Sequence, residues 1–204
     1  MADLLSYALC SVADVTSIPG FPSSTISDDF IKRKINQATE MIEGYCGRRF
    51  KETTYTDEKY DGTLTSSLVL KQRPIKSSGT FTIKGRSGAT SDSSYDEIDS
   101  SFYFIDYDAG IVDAVSSFYS GYDRWAVTYT AGYATIPADL QEACATLAAY
   151  LCQNSQGTGG VSSKQEGSRK VDYFNTTGAS GIIGLLHLDE ILDGYASTSI
   201  SGLI

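Results

Sequence analysis

Apolar residues recur at helical spacing twice in this chain. Between Asp28 and Cys46 the residues Ile31, Ile35, Ala38, Ile42 and Tyr45 are separated by four, three, four and three positions. Lys32, Arg33, Lys34, Gln37 and Glu40 fall mostly off that stripe, so the segment predicts an amphipathic helix. Ser27-Asp28-Asp29 reads as its start, with acidic groups at the positive end of the helix dipole. Gly44 and Gly47, followed by Thr53-Thr54-Tyr55, end it. The second stripe is Leu140, Cys144, Leu147 and Leu151, flanked by Ala143 and Ala148. It begins at Ile136-Pro137, where the missing proline N–H costs nothing in a first turn. The two stripes predict a pair of helices packed on each other. A short helix around Leu4 to Val15, the loop Ser17–Pro22, and a short apolar helix from Ile182 to Tyr195 complete the helical reading.

Between the two stripes the period changes from helical to twofold. Leu68–Leu70, Thr80–Lys84, Phe102–Ile105, Ile111-Val112 and Trp125–Thr130 are the strand candidates, rich in β-branched and aromatic residues. Asp61-Gly62, Lys84-Gly85, Asp108-Ala-Gly110 and Ser120-Gly121 read as the turns between them, and Arg73-Pro74 as a strand end. The expected result is one small antiparallel sheet. Beyond Asn154, the Gly/Ser/Gln-rich run Ser155–Ser163 reads as a flexible loop, Lys170–Phe174 as a short strand, and Ala196–Ile204 as too small and polar to fold alone. The fold class is α+β: a small helical bundle (1–50 and 134–154) with an inserted antiparallel β subdomain (51–133) and an extended C-terminal arm (155–204).

At 204 residues the chain can bury a real core. No apolar run reaches the roughly 18 residues that span a membrane, and Met1-Ala-Asp-Leu-Leu5 lacks the pattern of a signal peptide. Synthesis in the cytoplasm is the expectation. Cys10, Cys46, Cys144 and Cys152 form no C-x-x-C pair and are read as small buried hydrophobes rather than a disulfide staple. The net charge of −9 argues against gripping nucleic acid by phosphate neutralisation. It is compatible with a wall that DNA slides past, and equally with simple solubility.

Candidate chemistry is sparse. His187 is the single histidine, which removes the ordinary Ser-His and Cys-His arrangements unless it is itself the base. It lies in Leu185-Leu-His-Leu188 near the C-terminus and reads as structural or surface. Asp92, Asp96, Glu97, Asp99, Asp106, Asp108 and Asp113 form an acidic run with no basic residue. The run lacks a calcium-loop pattern and reads as a solvated face, one that suits a DNA channel or a basic partner. A carboxylate pair for glycoside hydrolysis is not singled out, and no P-loop, G-x-G-x-x-G, H-E-x-x-H or zinc spacing occurs. No cofactor or metal is therefore expected. The 14 tyrosines suit a sugar-binding surface, a half-exposed sheet or a protein interface. Arg48 and Arg49 leave their helix on adjacent positions. Either one makes an inter-subunit ion pair, or both are solvated cations at the negative end of the dipole.

Four segments carry a family resemblance: Tyr45-Cys-Gly-Arg-Arg-Phe50, Gln72-Arg-Pro-Ile75, Asp108-Ala-Gly110 and the block Tyr129–Ala143. In this order they resemble the head-tail connector (adaptor, head completion) proteins of tailed bacteriophages, most clearly over Asp28 to Asn154. The resemblance implies a structural virion protein rather than an enzyme. It implies a homo-oligomeric ring of about twelve copies joined by heterologous contacts, located at the virion neck below the portal. Portal protein, a stopper or tail-completion protein, and double-stranded DNA passing through without sequence-specific binding are the implied partners; a membrane is not. It also favours a docking role for the apolar C-terminal cluster Ile182, Ile183, Leu185, Leu186, Leu188, Ile191 and Leu192, which must either fold back on the domain or bury itself in a partner. A carbohydrate- or receptor-binding module of a phage particle, and a phage-associated enzyme, are the two other readings.

Overall fold

The computed structural model describes residues 3–86, 94–153, 163–166, 169–172 and 186–196. They fall into two compact units, one made of residues 1–48 and 136–204 and the other of 49–135. The chain is mixed helix and antiparallel sheet, α+β as the sequence predicts.

The first unit is helical: α1 (Val12–Thr16), α2 (Asp28–Cys46), α3 (Ala138–Gln153) and α4 (Leu186–Asp193). Both long stripes are buried as the spacing predicts: Ile31, Ile35, Ala38 and Ile42 on α2, and Leu140, Cys144 and Leu147 on α3. Tyr45 and Leu151, at the ends of the stripes, are only half-buried. Ser27 is the N-cap residue of α2, and Gly47, in the left-handed region at φ 67°, closes the helix with its N–H on the Glu43 carbonyl. The helix around Leu4 to Val15 is shorter than expected. It starts only where Ser11 and Asp14 make a reciprocal capping box. The preceding segment instead lies along α2, with Leu5 N–H donating to Asn36 Oδ1 at 3.0 Å and Asn36 Nδ2 donating to the Asp3 carbonyl at 2.9 Å.

The second unit holds two antiparallel sheets rather than the single sheet expected. A four-stranded sheet has the order β1 (Thr53–Gly62), β7 (Gly121–Ala131), β3 (Thr82–Arg86), β4 (Tyr95–Glu97). A three-stranded sheet has the order β2 (Ser67–Val69), β6 (Ile111–Ala114), β5 (Tyr103–Asp106). Residues of both meet in one core that includes Tyr60, Leu68, Ile83, Val112, Trp125, Val127 and Tyr129. Two expected turns are strand residues instead: Gly62 pairs with Gly121, and Gly85 pairs with Trp125. Asp108-Ala-Gly110 is the turn between β5 and β6, as read.

At the end of the stretch expected as loop, Ser163 begins β8 (Ser163–Glu166), paired with β9 (Arg169–Asp172). The rest of the loop at 154–162 lies outside the described residues. Among the described residues no helix is long and apolar enough to cross a membrane.

Candidate assembly surfaces

The parts of the four signature segments that lie in the second unit, residues 49–50, 72–75, 108–110 and 129–135, meet there or through immediate neighbours, mostly by backbone hydrogen bonds. Arg49 N–H donates to Gln72 Oε1 at 2.8 Å. Tyr133 N–H reaches the Phe50 carbonyl at 2.7 Å, Gly132 N–H the Pro74 carbonyl at 2.9 Å, Ile75 N–H the Tyr107 carbonyl at 2.7 Å, and Leu70 N–H the Gly110 carbonyl at 2.8 Å. Gly132 has φ 104°, and a Cβ there would stand 2.7 Å from the Phe50 carbonyl oxygen. Only glycine fits that junction without strain. The signature therefore marks a fold junction in which backbone groups satisfy one another, not an exposed contact surface.

The exposed surface lies on the three-stranded sheet. Its register sets Leu68, Val112 and Ile105 side by side, and one position along on each strand sets Ser67, Asp113 and Phe104 together. Period-two alternation puts these rows on opposite faces. Leu68 and Val112 are buried, whereas Phe104 is 71%, Val115 64%, Phe102 59% and Val69 47% exposed. Val115 N–H bonds the Phe102 carbonyl at 2.9 Å, which extends the same outer face by one more row. Two phenylalanines and two valines on one face of a small sheet, with Asp106 and Asp113 among them, form an apolar patch with acidic neighbours. Exposed apolar groups clustered in this way make the face a candidate contact surface.

The acidic run is distributed over both sheets. Asp96 and Glu97 are exposed on the edge strand β4. Asp99 accepts from Ser101 N–H at 2.9 Å, and hydrogen bonds from the Ser101 side chain first and its backbone second hold the Asp99 carboxyl below the usual carboxylate range. Asp106 Oδ1 accepts from Asp108 N–H at 3.1 Å and Ala109 N–H at 2.9 Å, and so shapes the β5–β6 turn. Asp113 accepts from Ser67 at 2.5 Å, and Asp108 is exposed. Asp92 lies outside the described residues. Asp99, Asp106 and Asp113 thus hold local structure besides any role as a face.

Arg48 is not the solvated helix-end cation weighed above. It is buried, with its guanidinium 5.8 Å from the centre of the Tyr195 ring, in the helical unit. Arg49 is half-exposed. Leu188 and Leu192 are also buried, because α4 folds back onto α2 and α3. These two leucines face their own unit. Ile191 is half-buried. Ile182, Ile183 and Leu185, and the side chains of Leu186 and His187, lie outside the described residues.

Two of the tyrosines serve the core. Tyr60 and Tyr129 are buried, their hydroxyls 3.0 Å apart, and both donate to Glu58, Tyr129 at 2.7 Å. Burial is the first cause that holds both phenols well above the ordinary tyrosine value. Among the described residues no group of three or more His, Cys, Asp or Glu side chains is placed to hold a metal ion.

A model of head completion proteins matches residues 8–171. The chain belongs to that family. Membership gives it a structural role at the head–tail neck of a virion. A sequence comparison with characterised proteins gave no match. Among solved structures, a chain in the neck of an empty gene transfer agent (GTA) particle, computed with C6 symmetry, is similar at a TM-score of 0.55 and 15% identity. The match covers 100% of this chain and 98% of that one. A chain from the virion of the native particle matches at 0.51 and 14%, covering 80% and 86%. One from the native neck, computed with C12 symmetry, matches at 0.50 and 14%, covering 100% and 98%. At these identities the likeness establishes the fold.

Proposed function

We propose that this head completion protein assembles into a ring of about twelve copies below the portal vertex. The ring extends the DNA channel and presents its far face to a stopper or tail-completion protein. The observation that carries the reading is family membership across residues 8–171, joined to a fold like that of chains in particle necks of C6 and C12 symmetry. The exposed outer face of β2, β5 and β6 is the contact surface, and Arg49 is a rim contact. The net charge of −9 favours a channel lining that repels phosphate and lets the duplex slide. The apolar C-terminal cluster Ile182, Ile183, Leu185, Leu186, Leu188, Ile191 and Leu192 is the segment proposed for portal docking, which for the buried Leu188 and Leu192 requires α4 to leave its unit.

The test is mass measurement by light scattering on the purified chain, alone and with portal-bearing heads. A ring mass in either state, with the protein at the neck in electron micrographs of the particles, supports the reading. A monomer that never joins heads overturns it.

A further inference from the structure

We infer that Cys10 and Cys144 are an oxidation site, a thiol pair that closes to a disulfide and ties the segment before α1 to α3. Their sulfurs are 3.3 Å apart across 134 positions of chain, and a disulfide needs about 2.05 Å, so closure is a local approach on the order of 1 Å. Contacts other than the thiols hold the pair in reach. Leu9 N–H donates to Thr39 Oγ1 at 3.3 Å, and the same oxygen lies 3.7 Å from Cys144 Sγ. The hydrogen bond to Cys144 and burial hold the proton on Cys10, while the same hydrogen bond, supported by Thr39, holds the Cys144 thiol below its ordinary value and makes it the nucleophile of the pair. Both sulfurs are buried, Cys10 at 6% and Cys144 at 0% exposed. The Cys46 sulfur instead faces the Leu192 carbonyl at 3.7 Å.

The oxidant is a peroxide. The Cys144 thiol loses its proton to solvent, and its thiolate attacks hydrogen peroxide; the O–O bond breaks, giving the sulfenic acid and hydroxide. Cys10 sulfur then attacks Cys144 sulfur. The S–S bond forms, the S–O bond breaks, and hydroxide leaves with the Cys10 proton as water. Two thiols and one peroxide become one disulfide and two waters. Reducing surroundings keep both thiols free, and oxidising ones close them. The closed loop contains α2 and the whole sheet unit, so the cross-link restrains the unfolded chain over a long span. The inference stands on the pair alone and not on the neck reading.

The experiment uses the full chain in a Cys46→Ser/Cys152→Ser background, treated with hydrogen peroxide. Expected are loss of both remaining thiols on titration under denaturing conditions and a mass lower by two hydrogens. The thermal midpoint should rise by about 5–10 °C and fall back on adding a reductant. Cys10→Ser and Cys144→Ser, each added to that background and each checked for native circular dichroism, should give no rise. Retention of both thiols, a gain of oxygen atoms without cross-linking, or a dimer joined between chains overturns the proposal. Should either added serine fail to fold, the parent background still decides the matter by thiol count and mass.

Discussion

Gly85 lies beneath the indole of Trp125, its register partner across β3 and β7: a Cβ on Gly85 would stand 2.8 Å from Trp125 Cζ3. The absent side chain is the space the ring occupies. Trp125 in turn meets Phe118 edge-on at 5.0 Å and stacks on Tyr119 at 6.4 Å. Gly85→Ala should push the ring out of this packing and cost about 1–3 kcal/mol, as overpacking does. Chemical denaturation followed by the fluorescence of Trp125, the single tryptophan, checks this. An unchanged midpoint and spectrum would mean the indole has room to move.

The same pair explains a misreading. Lys84-Gly85 looks like a turn because glycine is the commonest turn residue, yet here it is a strand residue cleared for an aromatic ring on the neighbouring strand. Nothing local in the sequence distinguishes these uses. β1 was missed for a related reason. Thr53–Gly62 is a Thr/Tyr run followed by Asp-Glu-Lys, with Tyr60 as its one buried residue, so its apolar pattern is faint. β4 is only three residues long. The helices were legible because α2 and α3 bury continuous stripes. The family signature was legible too, but its physical cause, a backbone junction around Gly132, needed the fold. Whether the C-terminal apolar cluster folds back or docks elsewhere is not written in its composition, since both solutions bury the same leucines.

Leu147, on α3 and 1% exposed, tests the helical core. Leu147→Ala should lower stability by about 2–5 kcal/mol through lost burial and a cavity. The denaturant midpoint should drop with little change in slope. An unchanged midpoint would show that α2 and α3 do not share this face.

Phe102 and Phe104 test the outer sheet face. Both side chains are exposed, so Phe102→Ser/Phe104→Ser should leave the thermal midpoint nearly unchanged. Association with portal-bearing heads, read by co-sedimentation, should fall at least tenfold, as when aromatic anchors of an interface are removed. Normal co-sedimentation would move the contact surface elsewhere.

Asp57 sits at a bulge in β1 at φ 50°, and its carboxyl accepts from Lys84 Nζ at 3.0 Å. That hydrogen bond is the main cause of its lowered pKa. A folded value below the unfolded one means the contribution is fully present above about pH 3.9 and is lost as pH falls through the lower folded value. Asp57→Asn should therefore lower the midpoint at pH 7 and converge with wild type as pH falls through the lowered folded value. The effect should be small and weaken with added salt, because both groups are partly exposed. A constant difference across this range would assign the effect to packing instead.

Truncation after Asn154 tests where the C-terminal segment belongs. α4 buries Leu188 and Leu192 in the helical unit. Tyr45 donates to Asp193, and Tyr195 donates to Asp139 on α3 at 2.7 Å. Removing this helix exposes the parts of α2 and α3 it covers, with Cys46 and Ile42 among the buried residues of α2. Each lost leucine alone is worth about 2–5 kcal/mol, a large share of the 5–15 kcal/mol that holds a typical domain together. The truncated chain should lose helical circular dichroism at a lower temperature than the full chain, and Leu192→Ala should give a smaller loss of the same kind. Failure to join portal-bearing heads would then follow from unfolding, and Leu192→Ala, which keeps the rest of the segment, separates the two effects. If the truncated protein instead melts with the full chain yet no longer joins heads, α4 is dispensable to the fold and the whole segment acts in docking.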